Sequence, residues 1–253
     1  MKYFLIAICF IACKNPFKPK DLPKISTEVL DTIKQAPTRI DAEPALFETA
    51  FIRGTKQKGN SADFNFYGIT IGKLNVVSGH IVACDPLHID EYGKPYTQIF
   101  PKGEFPVQLS IAEVGGEETV AFARINFSNE PVTKWEFALL EGQEPLAVGG
   151  KEIHGYGVDG GIGIFMDQEA IKALDQDQLT QIEEGIYKDI YKEMEKHYRY
   201  DWKYAMFDFR GHNLAAFTTG VGDGRYPSYV GFDANGQPCR LVTDFGLFNW
   251  KKN

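Results

Sequence analysis

From Leu74 to Leu139 the apolar residues recur at every second position, and no other feature limits the possible folds of this chain as much. Alternate side chains of an extended strand point to opposite faces, so this period means strands with one face buried. Val107, Leu109 and Ile111 share such a face, and Gly115-Gly116 predicts a tight turn into a partner strand from Thr119 to Phe127. Leu74 and Val76 on one side of Ser78-Gly79, with Val82 and Cys84 on the other, read as a second hairpin; Trp135, Phe137 and Leu139 form a further apolar row. Connections this short predict antiparallel neighbours in a meander, because parallel strands need long crossovers. The pattern returns later. Trp202 to Phe207 and Asn213 to Thr218 read as strands, and Tyr226 to Phe232 with Pro238 to Thr243 as a hairpin about Asp233-Ala234-Asn235-Gly236.

Between these strand-like regions Leu179, Ile182, Ile186, Ile190 and Met194 repeat at three and four residues, with Glu183, Glu184, Lys188, Glu193, Glu195 and Lys196 on the other side. That spacing predicts one long amphipathic helix. The expected fold class is therefore α+β: mainly antiparallel sheets, in a meander and hairpins, with one long amphipathic helix.

The start of the chain reads as an address rather than as part of the fold. Lys2 precedes an apolar run from Tyr3 to Ala12, too short to span a bilayer and suited to a signal peptide over residues 1–12. Phe10-Ile11-Ala12-Cys13 resembles the bacterial lipoprotein signal, in which the cysteine is lipidated, so Cys13 is the expected lipidation site and a membrane the expected partner of its lipid. The expected location is the cell envelope, anchored and facing the periplasm or exterior. Residues 13–60 read as a tether with a short helical lead-in: three prolines and two lysines lie between Asn15 and Pro23. Short helices are predicted from Ser26 to Gln35 and from Pro44 to Phe51, the latter with Leu46, Phe47, Ala50 and Phe51 as its apolar face, followed by a polar break from Gly54 to Ala62. Residues 61–250 read as one domain. Cys84 and Cys239 could pair in an oxidising compartment, but the preferred reading is two buried free thiols.

The net charge of -7 is spread along the 253 residues without a run of like charges, and nucleic acid is not an expected partner of so acidic a chain. The unusual chemistry sits in two glycine-rich stretches, His154 to Asp167 and Thr218 to Pro227, each with one carboxylate, Asp159 or Asp223, among residues that allow close backbone approach. Gly155 to Gly160 has the spacing of a dinucleotide-binding loop, but a strand-like Ile162 to Met166 follows where a helix is required. Calcium is the cation that oxygen-rich loops of this kind could hold, although acids at alternate positions are missing. No zinc motif is present, and Pro86 breaks any helical face that would converge Cys84, Asp85 and His88, so no metal site is assigned. Asp167 reads as a helix cap, and His80 and His197 as structural.

The candidate catalytic residues are Asp159, Asp223 and His154. The candidate ligand-binding residues are Tyr156, Asp159, Asp223, Arg225 and Tyr226, with Arg225 orienting an anion and a tyrosine stacking on the ligand. Three functions of different class fit: an envelope domain that binds a ligand or protein partner at these loops, an envelope hydrolase using paired aspartates, and an immunity-type protein that covers a basic secreted toxin. The first is the expected one.

Ser78 to Pro86, Gly155 to Asp159, Gly222 to Pro227 and Leu241 to Phe245, in that order, resemble segments of a bacterial family catalogued as domain of unknown function 4241. The likeness runs from about Gly68 to Phe248. It implies one continuous domain and carries no activity with it.

Overall fold

The computed structural model describes residues 45–59, 62–174, 178–179, 185–247 and 249–251. Seven strands form the larger sheet, in the spatial order β1 (Thr55–Lys58), β2 (Asp63–Val76), β4 (Gly103–Val114), β5 (Glu117–Asn126), β13 (Pro238–Asp244), β12 (Ser228–Phe232) and β6 (Lys134–Phe137). A second sheet runs β3 (Ile81–Cys84), β8 (Ile162–Asp167), β10 (His212–Thr218), β9 (Tyr204–Phe209), and a two-stranded ribbon pairs β11 (Gly224–Tyr226) with β7 (Tyr156–Val158). Every pairing is antiparallel. The β4–β5 hairpin turns at Gly115 and Gly116, whose φ values of 63° and 91° are those that a two-residue turn of matching twist requires. Register shifts at Thr70/Gly72 and Ser110/Ile111 mark irregularities of the kind that bend strands and curl a sheet.

The sheets stack because most of their strands are apolar on both faces. Val107, Leu109, Ile125, Val230 and Leu241 point from the larger sheet into one core, where they meet Ile81, Ala83, Phe165 and Phe217 of the second sheet. The other face of the second sheet, through Val82, Ile164, Met166, Leu214 and Ala216, packs under α4 (Ile186–Met194). The other face of the larger sheet, through Phe122, Tyr229 and Val242, is covered by Phe47 of α1 (Leu46–Thr49) and by Trp250. All six residues of β8 are buried, as a strand covered on both sides must be. A large apolar side chain such as Phe165, fully withdrawn from water, contributes about 2 kcal/mol or more.

The fold class expected from the sequence is corrected here. The described residues are mostly antiparallel β, 45% in strands and 15% helical, and no long helix is present among them. The expected run is interrupted at Gly185, which is extended, with φ -89° and ψ -172°, and α4 opens after it at Ile186; Gln178 and Leu179 are helical. Glycine is a costly helix residue, and here it ends the periodic run that the leucine and isoleucine spacing continues on paper. Leu179 precedes that break, and Ile182 lies outside the described residues.

Two local expectations also change. The segment through Ser78 and Gly79 is not a hairpin: β2 pairs with β4, β3 pairs with β8, and the segment crosses from one sheet to the other. Asp167 holds this crossing. Its Oδ2 accepts from the backbone N–H of Val77 and Ser78 and from the Ser78 hydroxyl, each at 2.9 Å. Its Oδ1 accepts from Glu169 N and caps α3 (Gln168–Lys172), the role read from sequence. Within the expected polar break, Thr55–Lys58 forms the edge strand β1, whose lysines suit an edge.

Other expectations hold. The hairpins β4–β5 and β12–β13 form where the alternation and turn residues place them, β9 and β10 form as strands, and Leu46, Phe47, Ala50 and Phe51 are buried together. Cys84 and Cys239 are buried free thiols. The helix expected from Ser26 to Gln35 lies outside the described residues. Among the described residues, no helix is long and apolar enough to cross a membrane.

Candidate functional site

The two glycine-rich stretches meet. β7 and β11 pair with Tyr156 opposite Tyr226, Gly157 opposite Arg225 and Val158 opposite Gly224. Gly155 allows the approach: a Cβ there would lie 2.7 Å from the Tyr226 carbonyl oxygen, so any side chain would push the ribbon apart. Beyond the ribbon, Asp223 Oδ1 accepts from Gly161 N at 3.0 Å, and the Tyr226 hydroxyl donates to the Gly222 carbonyl at 2.6 Å. The second stretch therefore braces the first.

Asp85 fixes the other side of the first loop. It is fully buried at the end of β3; Oδ1 accepts from Leu87 N at 2.8 Å, and Oδ2 accepts from Asp159 N at 2.7 Å and from Gly160 N at 2.8 Å. One carboxylate thus caps the short 3-10 turn Pro86–His88 and grips the loop that carries Asp159. His88, at the end of that turn, brings Nε2 to 3.4 Å from Asp159 Oδ2 and sets its ring edge-on to Tyr92 in α2 (Ile89–Tyr92).

Between the 3-10 turn with α2 on one side and the glycine ribbon on the other lies a cavity of about 320 Å³. Its third wall is the segment after β6, tied in place by Ala138 N to the Ser228 carbonyl and by Leu140 N to Gln143 Oε1. The lining changes with depth. Ala83, Tyr96, Ala138, Tyr156 and Ser228 are buried, whereas Tyr92, Lys94, Asp159 and Arg225 are exposed. Arg225 reaches back across the ribbon, its Nη1 3.4 Å from the Gly155 carbonyl oxygen. Among the described residues Lys94 has no ion-pair partner.

Burial pushes the phenols of Tyr96 and Tyr156 above the ordinary tyrosine value, so both stay neutral. The Tyr156 hydroxyl is buried without a hydrogen-bond partner and sits over Gly163, where an added Cβ would lie 2.8 Å from it. The Ser228 hydroxyl pairs with the Thr243 hydroxyl at 2.7 Å, not with an imidazole that could activate it. Lys94 and Arg225 stand against one carboxylate, Asp159, so the mouth carries an excess of positive charge in an otherwise acidic protein.

Of the residues singled out from sequence, Tyr156, Asp159 and Arg225 line this cavity. Asp223 and Tyr226 do not; they hold the ribbon and loop from behind, and Tyr226 borders a neighbouring hollow that shares Arg225. His154 also lies outside, with Nε2 2.8 Å from the Glu144 carbonyl oxygen and its ring edge-on to Phe137. Asp159 and Asp223 thus act on the same loop without facing each other over the cavity. Among the described residues, no three His, Cys, Asp or Glu side chains converge as metal ligands.

Sequence reading weighed Asp85 and His88 only as metal ligands, and missed Lys94 and Tyr96. Asp85 had a legible signal, an acid directly before a proline that opens a helical turn. Lys94 and Tyr96 had none. No curated protein and no solved structure matches the chain. A family model described as "Protein of unknown function (DUF4241)" matches residues 74–243, which include both glycine stretches, Asp85 and the whole cavity lining, and the chain belongs to that family.

Proposed function

We propose that this protein is a lipid-anchored envelope domain that binds a small anion in the cavity beside the first glycine-rich loop. The observation that carries this reading is the lining itself: Lys94 and Arg225 at the mouth, with His88 already engaged by Asp159, leave two permanent cations for a ligand. A cavity of about 320 Å³ is at the small end of ligand sites, and pockets with an apolar body and a few convergent polar groups are the usual form of such sites. The anchor rests on Lys2, the apolar run to Ala12 and Cys13; it would hold the site at a membrane on a leash of prolines and lysines.

Isothermal titration of small carboxylates and phosphates, with amines of matched size as controls, tests the site. Anions bind and amines do not, and Lys94→Gln and Arg225→Gln each weaken binding about tenfold, or about 1.4 kcal/mol. Equal binding of anions and amines, or binding that survives both substitutions, overturns the reading. For the anchor, Cys13→Ser moves the protein from the membrane fraction to the soluble one.

A further inference from the structure

Building on that binding site, we infer that the ligand is an aryl anion, a carboxylate or phosphate carried on a ring, which enters ring first and leaves its charged head at the mouth. The reason is the separation of chemistry with depth. Every charged side chain of the cavity, Lys94, Asp159, Arg225 and His88, is exposed or half-buried, and every fully buried one, Ala83, Tyr96, Ala138, Tyr156 and Ser228, is neutral.

An ionised head driven to the floor would lose its water with no cation to meet it, which costs more than neutral hydroxyls return. The one small hydroxyl there, on Ser228, is already paired with Thr243, and the Tyr156 hydroxyl points away over Gly163. What the floor offers is methyl groups and the bodies of two phenol rings, surfaces that gain most from an aromatic ring placed among them. A cavity of about 320 Å³ has room for one ring with its charged substituent. Arg225 and Lys94 then reach the head from opposite walls, the ribbon and the segment after α2. Asp159 at the same mouth disfavours a head of high negative charge and holds His88 beside it.

Titration of the intact protein with benzoate, phenyl phosphate, acetate, inorganic phosphate and phenol tests this. Benzoate and phenyl phosphate bind at least about tenfold more tightly than acetate, inorganic phosphate or phenol. Ala138→Leu, which fills the floor and leaves the mouth intact, abolishes the preference for the ring; should that variant not fold, Ala138→Val, which adds less bulk at the same place, weakens benzoate relative to acetate. If acetate and inorganic phosphate bind as tightly as their aryl counterparts, and through Arg225, the cavity takes anions but not ring first, and only this inference falls. If no anion binds at all, both this inference and the reading beneath it are wrong.

Discussion

Asp85 illustrates how much a single side chain can organise. A carboxylate removed from water must be fully hydrogen-bonded to be tolerated, and Asp85 meets that condition with three backbone N–H groups, one on Leu87 beside it and two on Asp159 and Gly160, 74 and 75 residues further along the chain. Removing it leaves those donors without acceptors in the wall of the cavity. Asp85→Ala is therefore expected to cost at least about 2 kcal/mol in urea unfolding and to weaken anion binding more than tenfold, since the loop carrying Asp159 loses its tie. A loss of only about 0.5 kcal/mol, the range of ordinary surface substitutions, with unchanged binding would reduce Asp85 to a turn residue. The same residue scale explains why Asp223 was legible as important and illegible in role. Its place between glycines marks a loop, but only the Gly161 N–H at 3.0 Å shows that its carboxylate is used for bracing.

At the scale of elements, α1 is the clearest case of a short helix held by tertiary contacts. Four residues cannot form a helix on propensity alone. Phe47 is fully buried against Phe122, Trp135, Tyr229 and Trp250, and Glu48 accepts from Arg124 Nη1 at 3.3 Å and from Arg240 Nε at 2.9 Å. Arg124 also lies over the Phe51 ring at 3.8 Å, and burial lowers its pKa to about 10, so the guanidinium stays charged at neutral pH. Two guanidiniums that are more than nine-tenths buried depend on one carboxylate. Glu48→Gln leaves them facing each other with no counter-charge, a loss of about 2 to 3 kcal/mol after allowance for the part of Glu48 that water still reaches. Urea unfolding followed by tryptophan fluorescence reads it, because Trp135 and Trp250 flank Phe47. A change in midpoint smaller than that of an exposed control such as Glu130→Gln would show the latch to be unimportant.

For the whole molecule, the pH dependence of folding in the acid range has an identifiable buried contributor among the described residues. Asp244 closes β13 and accepts from Trp250 Nε1 at 2.6 Å and from Gly246 N at 2.8 Å, yet burial outweighs these bonds and raises its pKa above 3.8. The native state therefore keeps a proton that the unfolded state gives up, and stability falls as pH rises from 3.8 through the raised native value. Asp244→Asn removes that share. The stability of the unaltered protein relative to the variant, measured by urea midpoints, declines with rising pH across this window; a constant difference would show that Asp244 titrates alike in both states.

What the amino-acid sequence determined by itself is everything that depends on neighbours along the chain. Alternation and turn residues placed the hairpins β4–β5 and β12–β13, and the acid before a short helix identified Asp167 as a cap, because each is settled within about a dozen residues. Tertiary structure decided which strands share a sheet, that β13 lies between β5 and β12, that the chain after Val76 crosses to a second layer, and that the helical periodicity breaks at Gly185. It also decided the site, since Asp85, Lys94, Gly157 and Arg225 come from segments with no local signal in common. The physical reason is that alternation reports only that a face is buried; the partner that buries it is chosen by packing among distant segments, and a cavity exists only where that packing stops short.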